Sequence, residues 1–529
     1  MRLYAPARTE AVLEALLADP SVQGAIVADR LTPARAAVLR PLPDWLDGRL
    51  SAGLARGGIA DLYVHQAEAL AALHEGEDVL VATPTASGKS LCYHLPVLQA
   101  VADDPAARAL YLFPTKALGQ DQLAALRELA DAAAIPLAAD VYDGDTPAPV
   151  RATIRAAGQV VVTNPDMLHA AILPHHTKWY QLFEQLRYVV VDEAHAYRGV
   201  FGSHVANVLR RLFRLCAHYG SRPQLVLCSA TIGNPGELAA RLTERSVRLI
   251  DRSGAPESPR RTLILNPPIV DQRLGTRSGT YGLVERCALA FVRAGRQTLV
   301  FGRSRTAVEL LLSRLRDALE EGRGPGERLR GYRSGYLPTE RRAIERGLRD
   351  GQLLGVVSTN ALELGVDIGG LDAVVLAGYP GSIAATRQQM GRAGRRGELS
   401  AAVLVATGSA VDQYVAAHPE WLLEGTPEEA RLDPDNLHVL LAHLRAACFE
   451  LPFAPGERFG PERADELLAF LAEEGHVRQA GDGRWYWASE SFPAAEIPLR
   501  TAATENVVII DEGPAGRGDR PRVIGEVDL

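Results

Sequence analysis

The chain has 529 residues, 47% of them hydrophobic, which is enough for several folded domains and excludes a largely disordered protein. Its formal net charge of −7 excludes a uniformly basic nucleic-acid coat, although a local basic groove is compatible with it. No run of about 20 apolar residues and no signal-peptide core occurs, so we expect a cytoplasmic protein without a membrane span. The five cysteines form no CxxC pair and are expected to be buried thiols, not zinc ligands or disulfides.

Apolar, β-rich segments alternate with helical patterns along two stretches of the chain. The first stretch has such segments at residues 78–82, 109–113, 159–162, 188–191 and 224–227, and the second at 298–301, 355–358, 373–376 and 401–405. Continuous apolar strands separated by helices are typical of a parallel sheet covered on both faces. We therefore predict an α/β fold with two tandem parallel-sheet domains and functional loops at the carboxyl ends of the strands.

The pattern changes from about residue 429. Helical periodicity covers residues 436–450 and 461–474, and a Gly-Asp-Gly turn at 481–483 precedes Trp485-Tyr486-Trp487. Helices followed by a short hairpin favour a small winged-helix-like α+β domain, with a helical cap and an edge hairpin as the alternative. The three aromatic residues suit either base stacking or packing of the hairpin onto its helices, and packing is favoured.

A phosphate-binding loop is predicted between the first apolar strand and the helix that follows it. The sequence from Thr83 to Ser90 is TPTASGKS, and its Lys89 is one of only three lysines in a chain rich in arginine. Backbone N–H groups at a helix start bind phosphates, a lysine neutralises the β- and γ-phosphates, and a hydroxyl ligates Mg²⁺. The predicted nucleotide-binding residues are Thr85, Ala86, Ser87, Gly88, Lys89 and Ser90.

Two further motifs complete a candidate catalytic set. Asp192 and Glu193 end an apolar strand, where Asp192 could hold Mg²⁺ through water and Glu193 could orient or deprotonate the attacking water. In the second α/β domain, residues 388–397 read QQMGRAGRRG. Arg392 and Arg395 could therefore supply positive charge to the transition state when the two domains close over ATP.

The order of these motifs resembles that of superfamily 2 DEAH-type helicases over residues 55–428. The resemblance is carried by TASGKS, PTKAL, DEAH, Ser229-Ala230-Thr231 and QQMGRAGRRG. The stretch DEAHAYRGVFGSHVANV, from Asp192 to Val208, is more closely similar to the MrfA-type DNA-repair helicases. That family has two RecA-like domains, a winged helix and a C-terminal domain with a four-cysteine zinc site, and it moves 3′→5′ on single-stranded DNA.

The resemblance implies further roles by motif. Gln66 would read the adenine edge, Asp367 would contact ribose or couple domain closure, and Gln388 would join the catalytic set. Ser229 and Thr231 would link the ATP site to the nucleic-acid groove. The implied DNA-backbone contacts are Thr115, Lys116, Thr163, Asn164, Arg303, Ser304 and Thr359.

These observations predict five segments. They are an accessory helical segment (1–55), RecA-like domain 1 with the ATP site (56–255), RecA-like domain 2 (256–428), a winged-helix-like domain (429–500) and the start of a truncated C-terminal domain (501–529). We expect a monomeric, nucleoid-associated DNA helicase or translocase in DNA repair that uses ATP and Mg²⁺, acts on single-stranded or tailed duplex DNA, and has no zinc in this chain. An RNA helicase and an ATP-gated nucleic-acid clamp that does not unwind are the alternatives.

Overall fold

The structure, a computed structural model, describes residues 8–273, 276–321, 326–333, 336–363, 368–394, 397–500, 506–511 and 522–528. The amino-terminal segment, for which the sequence predicts helices, contains three helices and two strands. Its elements are α1 (Thr9–Ala18), α2 (Pro20–Gln23), β1 (Ile26–Thr32), β2 (Leu39–Pro41) and α3 (Gly48–Arg56).

Domain 1 contains a parallel seven-stranded sheet in the order β10-β4-β9-β8-β5-β7-β6. Its elements are β3 (Asp61–Tyr63), α4 (Val64–His74), β4 (Val79–Ala82), α5 (Leu91–Asp103), β5 (Arg108–Leu112), α6 (Lys116–Ala132), β6 (Ala139–Val141), α7 (Ala148–Ala157), β7 (Val160–Thr163), α8 (Pro165–Met167), α9 (Tyr180–Glu184), β8 (Leu186–Val191), α10 (Gly199–His218), β9 (Gln224–Ser229), α11 (Pro235–Thr243) and β10 (Arg248–Ile250). Every residue of β4 and β7 is buried, so both faces of these strands are covered. This explains why their sequences are almost continuously apolar and do not alternate with polar residues.

Domain 2 contains the second seven-stranded sheet, in the order β1-β11-β18-β17-β14-β16-β15. Its elements are β11 (Arg260–Leu265), β12 (Ile269–Asp271), β13 (Thr276–Arg277), α12 (Thr280–Arg293), β14 (Thr298–Phe301), α13 (Arg305–Glu321), β15 (Leu329–Tyr332), α14 (Pro338–Arg349), β16 (Gly355–Ser358), β17 (Ala373–Ala377), α15 (Ile383–Met390), β18 (Ser400–Val405), α16 (Ala410–Ala417) and α17 (Pro419–Glu424). All neighbouring strands are parallel except β1, which pairs antiparallel with β11.

The amino-terminal segment therefore contacts both domains. Strand β1 extends the sheet of domain 2, and Leu13 and Leu16 of α1 are buried in that domain's core. Helix α3 packs on α6 of domain 1 so closely that a Cβ on Gly53 would lie 2.9 Å from the backbone nitrogen of Ala133. Strand β1 was not predicted because most of its side chains are exposed and polar residues interrupt the apolar ones, as is typical of an edge strand.

The remaining residues form a small α+β domain. Its elements are α18 (Leu437–Glu450), β19 (Arg458–Phe459), β20 (Glu462–Arg463), α19 (Ala464–Glu473), β21 (Val477–Gln479) and β22 (Trp485–Trp487), after which β23 (Asn506–Asp511) and β24 (Arg522–Asp528) form an antiparallel pair. Trp485 is buried, and Trp487 stacks on His476 with ring centroids 6.0 Å apart. Two parallel-sheet domains followed by a winged-helix-like domain confirm the predicted fold class.

All five cysteines are buried, as predicted. Across the described ranges, no helix combines the length and apolar character needed to cross a membrane.

Candidate ATP site and nucleic-acid interface

The predicted phosphate-binding loop connects β4 to α5 in domain 1. Ala86 and Gly88 have positive φ angles of 64° and 80°, so the loop turns where related loops carry glycine. The Nζ of Lys89 donates hydrogen bonds to the carbonyls of Thr83 (2.9 Å) and Pro84 (3.0 Å). The lysine thus closes the loop on itself, with its ammonium beside the backbone that would surround phosphates.

Gln66 of α4 is bonded to this loop. Its Nε2 donates to the carbonyl of Gly88 at 2.8 Å, and its Oε1 accepts from the N–H of Tyr63 at 2.9 Å. A Cβ on Gly88 would lie 2.7 Å from the same Nε2, so a glycine is needed for this approach. Both polar atoms of the Gln66 side-chain amide are hydrogen-bonded within the protein. Pairing of this amide with an adenine edge would therefore replace these two hydrogen bonds.

Asp192 and Glu193 lie directly after β8 and are buried. The Oδ2 of Asp192 accepts a hydrogen bond from the Tyr93 hydroxyl at 3.0 Å, and its Oδ1 accepts from the Glu193 N–H at 2.8 Å. Burial, reinforced by the charge of Glu193, raises the pKa of Asp192 to about 6, whereas nearby Lys89 lowers it. A second positive charge would therefore stabilise this carboxylate.

Glu193 adopts a left-handed backbone conformation, with φ 51° and ψ 44°. Its Oε2 lies 3.4 Å from Nδ1 of His195, which itself accepts a hydrogen bond from the Ala230 N–H at 3.1 Å. Since Nδ1 is then an acceptor and burial lowers the pKa of His195 to about 4, the imidazole is neutral and does not donate to the carboxylate. Among the described residues, Oε2 of Glu193 has no hydrogen-bond partner.

Residues of domain 2 complete the site from the other side. A Cβ on Gly391 would lie 3.2 Å from Oγ1 of Thr85, so the QQMGRAGRRG segment meets the phosphate-binding loop. Arg392 is 3% exposed, and it donates to the carbonyl of Glu363 at 2.7 Å. Burial raises the pKa of Glu193, and the charges of Lys89 and Arg392 oppose that rise. Arg392 of domain 2 therefore acts electrostatically on a carboxylate of domain 1.

Gln388 is also buried at this boundary, and its Nε2 lacks a hydrogen-bond partner within the part of the chain that the structure describes.

Two residues of the site were not expected from the sequence. Glu363 accepts a hydrogen bond from Gln389 at 2.9 Å, and Tyr93 donates to Asp192. Tyr93 lies four residues after Lys89, a spacing that could have indicated it. Asp367 and Arg395 lie outside the described residues.

The implied nucleic-acid contacts lie at the carboxyl edges of both sheets. Leu112, the last residue of β5, is paired with Thr163 of β7, and Phe301 of β14 is paired with Ser358 of β16. The ends of these strands and the segments that follow them contain Thr115, Lys116, Thr163 and Asn164 in domain 1, and Arg303, Ser304 and Thr359 in domain 2.

Most of these side chains already have intramolecular partners. Thr115, Asn164 and Ser304 accept hydrogen bonds from backbone N–H groups of Leu118, Met167 and Ala307, which caps the following helices. The Thr163 hydroxyl donates to the carbonyl of Tyr142 at 2.6 Å. Lys116 pairs with Asp145 at 2.8 Å and Arg303 with Asp412 at 3.7 Å. A phosphate backbone would compete with these two carboxylates for the cations.

Two parallel-sheet domains that meet at a phosphate-binding loop, an acidic pair and a buried arginine have the arrangement expected of a P-loop protein. The family description "DEAD/DEAH box helicase" matches residues 63–238, and "Helicase conserved C-terminal domain" matches residues 283–397. The chain belongs to the DEAD/DEAH-box helicases, within the MrfA-type DUF1998 group.

Three similar proteins support this assignment. An "uncharacterized ATP-dependent helicase YprA" of Bacillus subtilis (strain 168) is 51% identical over 494 residues, covering 93% of this chain and 65% of the relative. The ATP-dependent helicase HRQ1 of Saccharomyces cerevisiae is 40% identical over 472 residues, covering 85% and 43%. The crystal structure of the DUF1998 helicase MrfA bound to DNA superimposes with a TM-score of 0.90 and 49% identity, covering 99% and 69%. The chain thus spans less than two thirds of either curated relative.

Proposed function

We propose that this chain is an ATP-dependent 3′→5′ DNA helicase or translocase that acts in DNA repair. The proposal rests chiefly on one observation, the approach of Gly391 and Arg392 of domain 2 to Thr85 and Glu193 of domain 1. Such a boundary makes ATP turnover depend on how the two domains are arranged. A motor can use that dependence to alternate its grip on a nucleic-acid strand.

The site has the chemistry to bind ATP with Mg²⁺. The N–H groups of residues 85–88 and the ammonium of Lys89 would bind phosphate oxygens, Gln66 would read the adenine edge, and Asp367 would contact ribose or couple domain closure. Asp192, whose pKa is raised by burial, would hold Mg²⁺ through water, and the Ser90 hydroxyl would ligate the ion. When bound, Mg²⁺ neutralises charge on the phosphate oxygens.

Hydrolysis would use the unpartnered carboxylate oxygen of Glu193. Among the described residues Oε2 has no donor, so it can accept a hydrogen bond from the attacking water and take up its proton. Arg392, with Arg395 and Gln388, would stabilise the developing negative charge from domain 2. An arginine supplied in this way accelerates related phosphoryl transfers by about 10³–10⁵-fold.

DNA is favoured over RNA because a 49% identical relative was crystallised on DNA. Contacts at the carboxyl edges of both sheets would bind phosphates without reading sequence, as stepping along a strand requires. We expect a monomer that is cytoplasmic and nucleoid-associated and acts on single-stranded or tailed duplex DNA.

The test is ATP hydrolysis by the 529-residue chain alone and with single-stranded DNA or RNA of equal length. Stimulation by DNA supports the proposal, and equal or stronger stimulation by RNA favours an RNA helicase. Lys89→Ala is the negative control. A strand-displacement assay with 3′-tailed and 5′-tailed duplexes then tests polarity, and DNA-stimulated hydrolysis without displacement would point to a clamp or a translocase.

A further inference from the structure

The segment between domain 2 and the winged-helix-like domain, residues 425–435 (the interdomain linker), is bonded to domain 1. The side-chain amide of Asn234 pairs with the backbone of Ala430, accepting from its N–H at 2.8 Å and donating to its carbonyl at 3.3 Å. The Gly233 N–H donates to the carbonyl of Glu428 at 3.1 Å. Gly233 and Asn234 follow the Ser229–Thr231 motif closely, so the linker lies beside a motif of domain 1.

The side chain of the same Glu428 bonds to domain 2. Its Oε1 accepts from the N–H of Ile383 at 2.6 Å, and its Oε2 accepts from the N–H of Ala384 at 3.1 Å. These are the first N–H groups of α15, which have no partner inside the helix. A carboxylate at this position also interacts favourably with the helix dipole. Ser382 caps the next N–H, that of Ala385, at 3.0 Å.

The other end of α15 leads into the ATP site. Helix α15 has only eight residues, so its two ends are about 12 Å apart. Gln389, in its last turn, donates to the carboxylate of Glu363, and Arg392, two residues after the helix end, donates to the carbonyl of the same residue. A shift of the helix start would therefore displace the groups that face Glu193.

We propose that Glu428 is a positioning residue that couples the two RecA-like domains, with its backbone bonded to domain 1 and its side chain bonded to the start of α15 in domain 2, the helix that precedes Arg392. The inference rests on the proposed function for its activity readout. Relative movement of the domains must either break these bonds or move the interdomain linker, and with it the winged-helix-like domain. Glu428 thus connects the nucleotide state to the accessory domain.

The first test is Glu428→Gln. The glutamine keeps the size but replaces one acceptor oxygen with an NH₂ group that would face a backbone donor. Since one charge-assisted hydrogen bond to the helix start is lost, we expect kcat of DNA-stimulated ATP hydrolysis to fall about tenfold or more. The KM for ATP should change less than about twofold, because the phosphate-binding loop is untouched.

Glu429→Gln is the matched control. Its carboxylate pairs with the exposed Arg431 at 2.6 Å, so the neighbouring substitution removes a charge from the same linker. Glu429→Gln should leave kcat of DNA-stimulated ATP hydrolysis unchanged. Equal loss of kcat in both variants would overturn the proposal, since it would reflect the linker's net charge.

A double-mutant cycle with Asn234→Ala separates coupling from simple helix capping. Asn234→Ala removes two of the linker's hydrogen bonds to domain 1, and Glu428→Gln replaces one of the two acceptor oxygens that bond to domain 2. If both act through one connection, the double variant should be little worse than either single variant. Additive losses, or no effect of Asn234→Ala, would mean that Glu428 only caps α15 and would overturn the interdomain role.

The same cycle has a readout that does not depend on hydrolysis. All five native cysteines are buried, so dyes can be attached selectively to cysteines introduced on the surfaces of domains 1 and 2. With a non-hydrolysable ATP analogue, Glu428→Gln should show a smaller closed fraction by energy transfer than Glu429→Gln. If the wild-type chain lacks DNA-stimulated hydrolysis, the proposed function fails, whereas equal closed fractions would overturn the role of Glu428.

Discussion

Arg211 of α10 and Glu450 of α18 form an ion pair that is sealed from solvent. The Nε of Arg211 lies 3.1 Å from Oε2 of Glu450, and the two side chains are 0% and 1% exposed. The same guanidinium donates to Nδ1 of His169 at 2.6 Å and to Nδ1 of His443 at 3.3 Å. A buried charge cluster therefore joins the winged-helix-like domain to domain 1.

Glu450→Gln should destabilise this junction strongly, because it leaves the Arg211 charge buried without a counter-charge. Breaking one partner of a buried pair costs about 3–5 kcal/mol. Thermal unfolding and limited proteolysis between the two domains would measure the loss. Glu496→Gln is the control, since its exposed pair with Arg445 (2.7 Å) should contribute under about 1 kcal/mol. Similar losses in both variants would contradict the prediction.

Acidification should weaken the same junction. Burial, and then the charge of Arg211, lowers the pKa of His169 to about 3 and that of His443 well below its usual value. The unfolded histidines bind protons near pH 6.5 and the folded ones do not. The stability they contribute is therefore fully present above about pH 6.5 and is lost as pH falls toward 3.

His443→Gln tests this pH dependence. The amide preserves hydrogen bonding but does not titrate, so the decrease in Tm between pH 7.5 and 5 should be smaller than in the wild type. Part of the decrease in Tm should remain, because other buried histidines such as His169 still have lowered pKa values. A variant with the full wild-type slope would show that His443 does not contribute.

Asp192→Asn should raise the Tm of the nucleotide-free protein. The folded pKa of about 6 exceeds the unfolded value of 3.8, so the folded state binds more protons between these values and loses stability as pH rises through them. The gain should be larger at pH 7.5 than at pH 5, where Asp192 is mostly protonated. The same variant should lose Mg²⁺-dependent ATP hydrolysis. A lower Tm at pH 7.5 would contradict the raised pKa.

Glu193→Gln should abolish turnover while retaining ATP-dependent DNA binding. The amide preserves the shape of the side chain but cannot take up the proton of the attacking water, and general-base catalysis contributes about 10²–10⁴-fold. Hydrolysis and DNA affinity, measured with and without ATP, would separate the two effects. Lys89→Ala should lose both hydrolysis and the ATP-dependent increase in affinity. Wild-type turnover by Glu193→Gln would exclude the assigned role.

Local signals account for what the sequence could predict. A glycine-rich turn between a strand and a helix, or an acidic pair after an apolar strand, is determined by neighbouring residues, as Lys89 and Asp192 illustrate. Contacts between distant segments have no such signal. Nothing in the sequence around Glu428 indicates that its carboxylate bonds to Ile383, 45 residues away. The bonds of Gln66 to Gly88 likewise depend on how α4 packs against the loop.

Strand β1 has a consequence for biosynthesis. It precedes domain 1 in the chain but pairs with β11, whose partner residues begin at Arg260. During synthesis, β1 has no pairing partner until the whole of domain 1 and then β11 have left the ribosome. The edge of the second sheet is therefore completed only after domain 1 has been synthesised. A variant shortened to begin after Thr32 would leave β11 as an unprotected edge, open to pairing with another molecule.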